Sequence, residues 1–282
     1  MMRAWWRFRA IAIHRNSRRC RGYEGIGDNQ IGIGDDIMAT GLARGACARG
    51  KRIAFGDGRK LIWGPYSEIA FRHNPNIAGK LGPDVEWIRF HKGNRQYNTL
   101  GNGRWIWNYD YKARPGEFYF DEHERAYSVK RQILIEPNVP WHKPVAPNKD
   151  WSLANYQALA DRLLRAGFAV WQLSFGRARL RGVQLVETGG DFRCAAAALA
   201  GFDLVICPEG GLHHAAAAVH TKAIVIFGGF IPPEVTGYDL HANLTGGAEA
   251  CGSLRECSHC RDAMRRITAD EIFDRCLSIL NC

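Results

Sequence analysis

Apolar positions change their period along this chain, and the change divides it. From residue 131 onward, short continuous apolar runs alternate with segments of helical period. Residues 133–136, 168–173, 183–186, 204–207 and 222–227 read as strands. Residues 152–166 predict a helix with Leu153, Tyr156, Leu159, Ala160, Leu163 and Leu164 on one face, stopped by Gly167. Residues 192–200 and 212–219 predict two more helices. Strands alternating with helices predict an α/β domain with a mostly parallel sheet. Earlier in the chain, residues 36–49 carry Ile37, Met38, Leu42 and Ala46 on an apolar face, and 52–55 follow as a strand. Residues 57–128 lose the helical period and are rich in Gly, Pro, Asn and aromatics. Short strands are expected there at 86–90, 105–109 and 117–120. The pattern predicts a small, loop-rich first domain over 1–128 and a regular second domain over 129–282. The aromatics of 57–128 are expected to form the first domain's core, with an acceptor site as the competing reading.

Composition narrows the picture. With 46% hydrophobic residues, a chain of 282 can fill one large or two ordinary domains. No run approaches the roughly 18 apolar residues that a membrane-spanning helix needs. The net charge is +10, which suits anionic partners, but Arg3, Arg7, Arg9, Arg15, Arg18, Arg19 and Arg21 place much of it in the first 21 residues. That basic, aromatic segment lacks the apolar core and cleavage site of a secretory signal. It is expected to be a surface arm on a cytoplasmic protein, peripheral at most to the inner membrane surface. Of nine cysteines, five fall in the last 32 residues, and in a reducing compartment such a cluster suggests metal before disulfides.

Two glycine turns carry candidate chemistry. The tetrad Gly-Ile-Gly-Asp occurs at 25–28 and again at 32–35, and only the second copy opens a helix. The stretch 204–229 reads strand, Pro208-Glu209-Gly210-Gly211 turn, alanine-rich helix, strand. Such a unit places a ligand at the carboxyl end of its first strand, where free N–H groups and the helix dipole favour an anion such as phosphate.

The order of these features, with Lys149-Asp150-Trp151 between them and Ile226-Phe227-Gly228 after them, resembles glycosyltransferase family 9, the heptosyltransferase-like group. The resemblance extends over residues 131–282 and, in the first half, over about 31–56. It implies a GT-B-like architecture: two Rossmann-like domains facing across a cleft, the N-terminal one small and loop-rich. It implies inverting transfer of a sugar from a nucleoside-diphosphate sugar, ADP-heptose-like, to a hydroxyl of a glycan, a lipid-linked or another acceptor. By the same resemblance Asp35 is the general base, with adjacent Asp36 as competitor, and Lys149 stabilises the departing diphosphate, with Lys143 as a weaker competitor. Glu209, Gly210, Gly211, Leu212, His213 and His214 would hold the donor. Glu209 stands where relatives usually have Asp, and Gly210 where Thr or Ser is frequent. No catalytic metal is expected. Cys251, Cys257, Cys260 and Cys276 suggest a structural Zn or Fe site, with Cys282, His259 or His241 as substitutes for one thiolate.

Two other classes stay open. The basic arm and its tryptophans suit nucleic-acid binding or the modification of DNA. The departures at Glu209 and Gly210 suit a relative that binds a sugar nucleotide without turnover.

Overall fold

The computed structural model describes residues 32–80, 82–90 and 95–280. The basic arm, the first Gly-Ile-Gly-Asp tetrad and Cys282 lie outside them. The first half begins with helix α1 (Ile33–Cys47), strand β1 (Arg52–Gly56), helix α2 (Pro65–Phe71) and strand β2 (Val85–Arg89). A hairpin of β3 (Asn98–Gly101) and β4 (Arg104–Trp107) and the short α3 (Glu122–Arg125) complete it. β1 and β2 pair in parallel as a two-stranded sheet. Residues 117–120, expected as a strand, form none and join no sheet. Their polar groups go elsewhere: the Glu117 carboxylate accepts from Asn74 and Asn76, and Phe118 stacks on Phe120 at 5.2 Å.

The second half is the regular one. Its elements are β5 (Arg131–Ile135), α4 (Leu153–Arg165), β6 (Val170–Leu173), β7 (Gln184–Val186), α5 (Phe192–Leu199) and β8 (Phe202–Pro208). They are followed by α6 (Gly211–Ala218), β9 (Ala223–Ile226), α7 (Pro233–Thr236), β10 (Ala242–Leu244), α8 (Ser258–Arg266) and α9 (Ala269–Leu280). The six strands form one parallel sheet in the order β10-β9-β8-β5-β6-β7. The order runs outward from β5 in one direction and from β8 in the other. That is the doubly wound arrangement of a Rossmann-like domain, and its switch point lies between the carboxyl ends of β5 and β8.

Alternation along the strands explains the layers. Ile133, Ile135, Leu204, Ile206, Ile224 and Ile226 face α4 and α9 in one core. Leu134, Val205, Cys207, Ala223 and Val225 face α5 and α6 in the other. This second core does not stop at the helices. It continues through Ile37, Phe55, Phe71 and Phe90, so the first half packs onto the α5–α6 layer with no break in the apolar interior. On α4 the expected face is buried at Tyr156, Leu159, Ala160 and Leu163, whereas Leu153 is 43% exposed. Ser152 caps this helix, accepting from the Asn155 N–H, which places Leu153 in the first turn and outside the interior. Among the described residues, no helix is long and apolar enough to cross a membrane.

Candidate functional site

α1 and α6 meet end to end at the switch point, and two glycines permit it. A Cβ on Gly34 would lie 2.6 Å from His214 Cδ2, and one on Gly211 would lie 2.6 Å from Ile33 Cγ2. Any larger residue at either place would force the helices apart. Both N-termini therefore point into one cavity of about 690 Å³, within the range of small-ligand sites. Two helix N-termini aimed at one space make it favourable to negative charge.

Asp35 lines this cavity from the first turn of α1. Its Oδ2 accepts from the Gly32 N–H at 2.6 Å, closing the helix start, and its Oδ1 accepts from the Tyr97 hydroxyl. Arg95 Nε stands 3.7 Å from the same oxygen, and its guanidinium lies 4.9 Å from the Trp105 ring. Burial and the neighbouring Asp35 push the Tyr97 phenol well above its ordinary pKa, so it stays a donor. Asp36 points the other way. It is buried, accepts from Ser67 Oγ at 3.2 Å, and is raised well above the usual carboxylate range by burial and by Asp35. Of the two acids, only Asp35 lines the cavity.

On the facing wall, Lys149 and Glu209 form an ion pair, Lys149 from a single 3-10 turn (Ala146–Lys149) and Glu209 from the end of β8. Burial favours the neutral acid at Glu209, but the Lys149 ammonium beside it and Lys143 outweigh it and hold the carboxyl below its ordinary value. Lys149 Nζ also lies 5.5 Å from the Phe230 ring. Lys143 lines the same wall, its pKa lowered by burial and by Lys149. Gly210, Gly211 and Leu212 line the floor.

The histidines divide. His213 is fully buried; its Nδ1 accepts from the Gly210 N–H at 3.0 Å and its Nε2 donates to the Thr236 carbonyl at 3.1 Å. Burial lowers its pKa, so it is a neutral strut of the turn. His214 reaches the cavity with its ring; Nδ1 pairs with the Tyr238 hydroxyl at 2.7 Å and Nε2 lies 3.8 Å from Glu209. Glu209, His213 and His214 also bring potential ligand atoms within 4.8 Å of one another. They do not fit a metal ion, because both His213 nitrogens and the Glu209 carboxylate already have protein partners.

The cysteines group differently from the expectation. Cys251, Cys257 and Cys260 converge, with sulfur–sulfur distances of 3.7, 3.3 and 3.3 Å. Tetrahedral thiolates about 2.3 Å from an ion lie roughly 3.8 Å apart, so the three sulfurs fit one face of such a site. Cys276 is not among them. It is buried on α9 in the core that α9 shares with α4, beside Ile272, because its helix packs that face inward. His259 turns its Nε2 to the Glu249 carbonyl, and His241 sits near His213.

Sequence reasoning did not assign Arg95, Tyr97, Asn98, Trp105, Trp107 or Phe230 to the site, yet all line the cavity. Trp105 and Trp107 pack against the core, as the core reading of the aromatic segment expects, and also line the cavity. The visible signal was the density of aromatics in and around the β3–β4 hairpin.

No curated protein matches the sequence. Among solved structures, the chain is similar to Escherichia coli ADP-heptose lipopolysaccharide heptosyltransferase II at 16% identity and a TM-score of 0.43, covering 62% of this chain and 54% of that one. A family 9 glycosyl transferase from Veillonella parvula gives 11% identity, a TM-score of 0.45, and coverages of 60% and 55%. TibC, an iron-containing dodecameric glycosyltransferase from enterotoxigenic E. coli, gives 12%, 0.43, and coverages of 63% and 49%. The chain thus spans about half the length of these proteins. The sequence model of glycosyltransferase family 9 (heptosyltransferase) matches residues 95–268, a span that holds Tyr97, Lys149, the Glu209–Gly210–Gly211 turn and the three convergent cysteines. That match covers more than half of the sequence, and the chain belongs to glycosyltransferase family 9.

Proposed function

We propose that this protein is an inverting glycosyltransferase that takes a sugar from a nucleoside-diphosphate donor, ADP-heptose-like, and passes it to an acceptor hydroxyl. The observation that carries the reading is the meeting of the α1 and α6 N-termini on one cavity, with Asp35 on one wall and the Lys149–Glu209 pair on the other. In this reading residues 1–128 present the acceptor and 129–282 hold the donor, with the diphosphate at the start of α6. The acceptor hydroxyl loses its proton to the Asp35 carboxylate as its oxygen attacks the anomeric carbon. The bond from that carbon to the diphosphate oxygen breaks, and its electron pair leaves with the diphosphate. Lys149 and the N–H groups of α6 meet the growing negative charge, more strongly in the transition state than before it. To do so Lys149 exchanges its partner, and Glu209 is released to accept hydrogen bonds from donor hydroxyls. Cys251, Cys257 and Cys260 hold a structural Zn or Fe ion, which supplies a cross-link and no reaction chemistry.

The test is release of ADP from ADP-heptose, alongside a panel of other sugar nucleotides, by wild type, Asp35→Asn and Lys149→Ala. Both variants should stay folded and lose about 100-fold or more in turnover. Asp35→Asn should keep its affinity for the nucleotide, while Lys149→Ala should lose it. Normal turnover in Asp35→Asn would remove that residue as the base. Binding without transfer from any donor would leave a sugar-nucleotide-binding protein.

A further inference from the structure

The three-thiol cluster does not stand apart from the cavity. Asn148, the residue before Lys149 in the same 3-10 turn, is fully buried and spends its whole side chain on the cysteine loop. Its amide donates to the Ser253 carbonyl at 3.2 Å and to the Arg255 carbonyl at 2.8 Å, and its Oδ1 accepts from the Cys257 N–H at 3.1 Å. A second path runs through Phe230. The Cys251 N–H donates to the Gly229 carbonyl at 2.9 Å and the Gly252 N–H to the Phe230 carbonyl at 3.1 Å. Lys149 is thus set from two sides, by its own turn and by the ring its ammonium faces, and the loop bearing the thiols holds both. A third link joins the loop to the opposite wall, where the Trp105 N–H donates to the Gly252 carbonyl at 2.8 Å and the Trp105 ring carries Arg95.

We infer that Asn148 is a positioning residue that couples occupancy of the Cys251–Cys257–Cys260 site to the placement of Lys149, so that metal and nucleoside diphosphate tighten each other's binding. The inference rests on the reading of the cavity as a nucleotide site and of the thiols as a metal site. The physical argument is one of slack. An ion cross-links three points of the 251–260 loop and fixes the carbonyls and the N–H that Asn148 uses. A buried amide whose two N–H groups and oxygen are all bonded to one loop cannot follow a displacement of that loop without either moving its turn or leaving polar groups unpaired. Linkage between two sites is reciprocal for binding, so the coupling must be visible from either end.

The experiment uses the full chain, loaded with Zn²⁺ and then stripped with a chelator, as wild type, Asn148→Ala and Asn148→Asp. ADP affinity is measured by calorimetry, and zinc loss by transfer to a colorimetric chelator with and without ADP. Wild type should bind ADP about tenfold more weakly when stripped, and ADP should slow its zinc loss. Asn148→Ala should take up one zinc, bind ADP as weakly as stripped wild type, lose zinc faster than wild type, and show no protection by ADP. Asn148→Asp, which keeps the acceptor for Cys257, should fall between the two. The inference is overturned if wild type takes up no zinc, if loaded Asn148→Ala matches loaded wild type in ADP affinity, or if the variant loses zinc at the wild-type rate. Should no form bind ADP, the proposed function fails while the rate of zinc loss still decides the structural half of the coupling.

Discussion

Glu136 shows what one side chain at the switch point costs. It follows β5, is 1% exposed, and accepts on Oε1 from both the N–H and the amide of Asn138, leaving Oε2 buried with no hydrogen-bond partner. Burial pushes its carboxyl from an ordinary 4.5 up to about 7. The folded protein therefore keeps a proton that the unfolded chain releases between those values, and folding stability falls as pH rises through that window, by about 3 kcal/mol in total. Glu136→Gln, uncharged at every pH, should flatten that fall. Melting temperatures taken from pH 4.5 to 8 should show the variant gaining on wild type, and parallel curves would contradict the assignment. At this scale the sequence was legible where a residue sits in a local motif. Asp35 and Glu209 could be placed because their own turns present them. Arg95 and Tyr97 could not, because they reach Asp35 only when a hairpin some 60 residues away folds over it.

Among the elements, the meeting of α1 with α6 depends on two hydrogen atoms where other residues have a methyl group. Gly34→Ala would drive a Cβ into the His214 ring, whose Nδ1 is already tied to Tyr238. Overpacking of this kind costs about 1–3 kcal/mol. The expected outcome is a lower melting temperature together with weaker nucleotide binding, since both helix ends would shift. A variant with unchanged melting would show that the junction is looser than its contacts imply. The central strands β5, β8 and β9 could be read because their apolar residues are buried on both faces, whereas the edge strand β10, only partly buried, was not expected. Residues 117–120 misled because a short run of aromatics looks like a strand, although the Glu117 carboxylate and the Tyr119 carbonyl are bonded to side chains and not to a neighbouring strand. Cys276 misled in a similar way: spacing groups thiols along the chain, but helix α9 turns this one into the interior.

Across the whole molecule, a buried ion pair fastens the two halves. Arg193, on α5, is 1% exposed; it pairs with Glu124 at 2.5 and 2.8 Å and donates to the Ile69 and Tyr119 carbonyls. Removing one member of such a pair leaves the other's charge stranded, at a cost of about 3–5 kcal/mol. Arg193→Met should therefore destabilise strongly. Adding Glu124→Gln should recover part of the loss, and the melt should remain a single transition because one apolar core spans both halves. Two separated transitions in the double variant would show that the halves fold independently. The continuous core also bears on how relatives of this protein can diverge. A chain whose halves share an interior cannot trade one half for a cousin's, since the graft would have to match α5 and α6 side chain by side chain. On the proposed function, new acceptor preferences would arise more readily by redrawing the β3–β4 hairpin, residues 98–107, which lines the cavity with Asn98, Trp105 and Trp107 and adds no buried residue to the shared interior. Chimeras cut near residue 128 should fail to fold where hairpin transplants succeed.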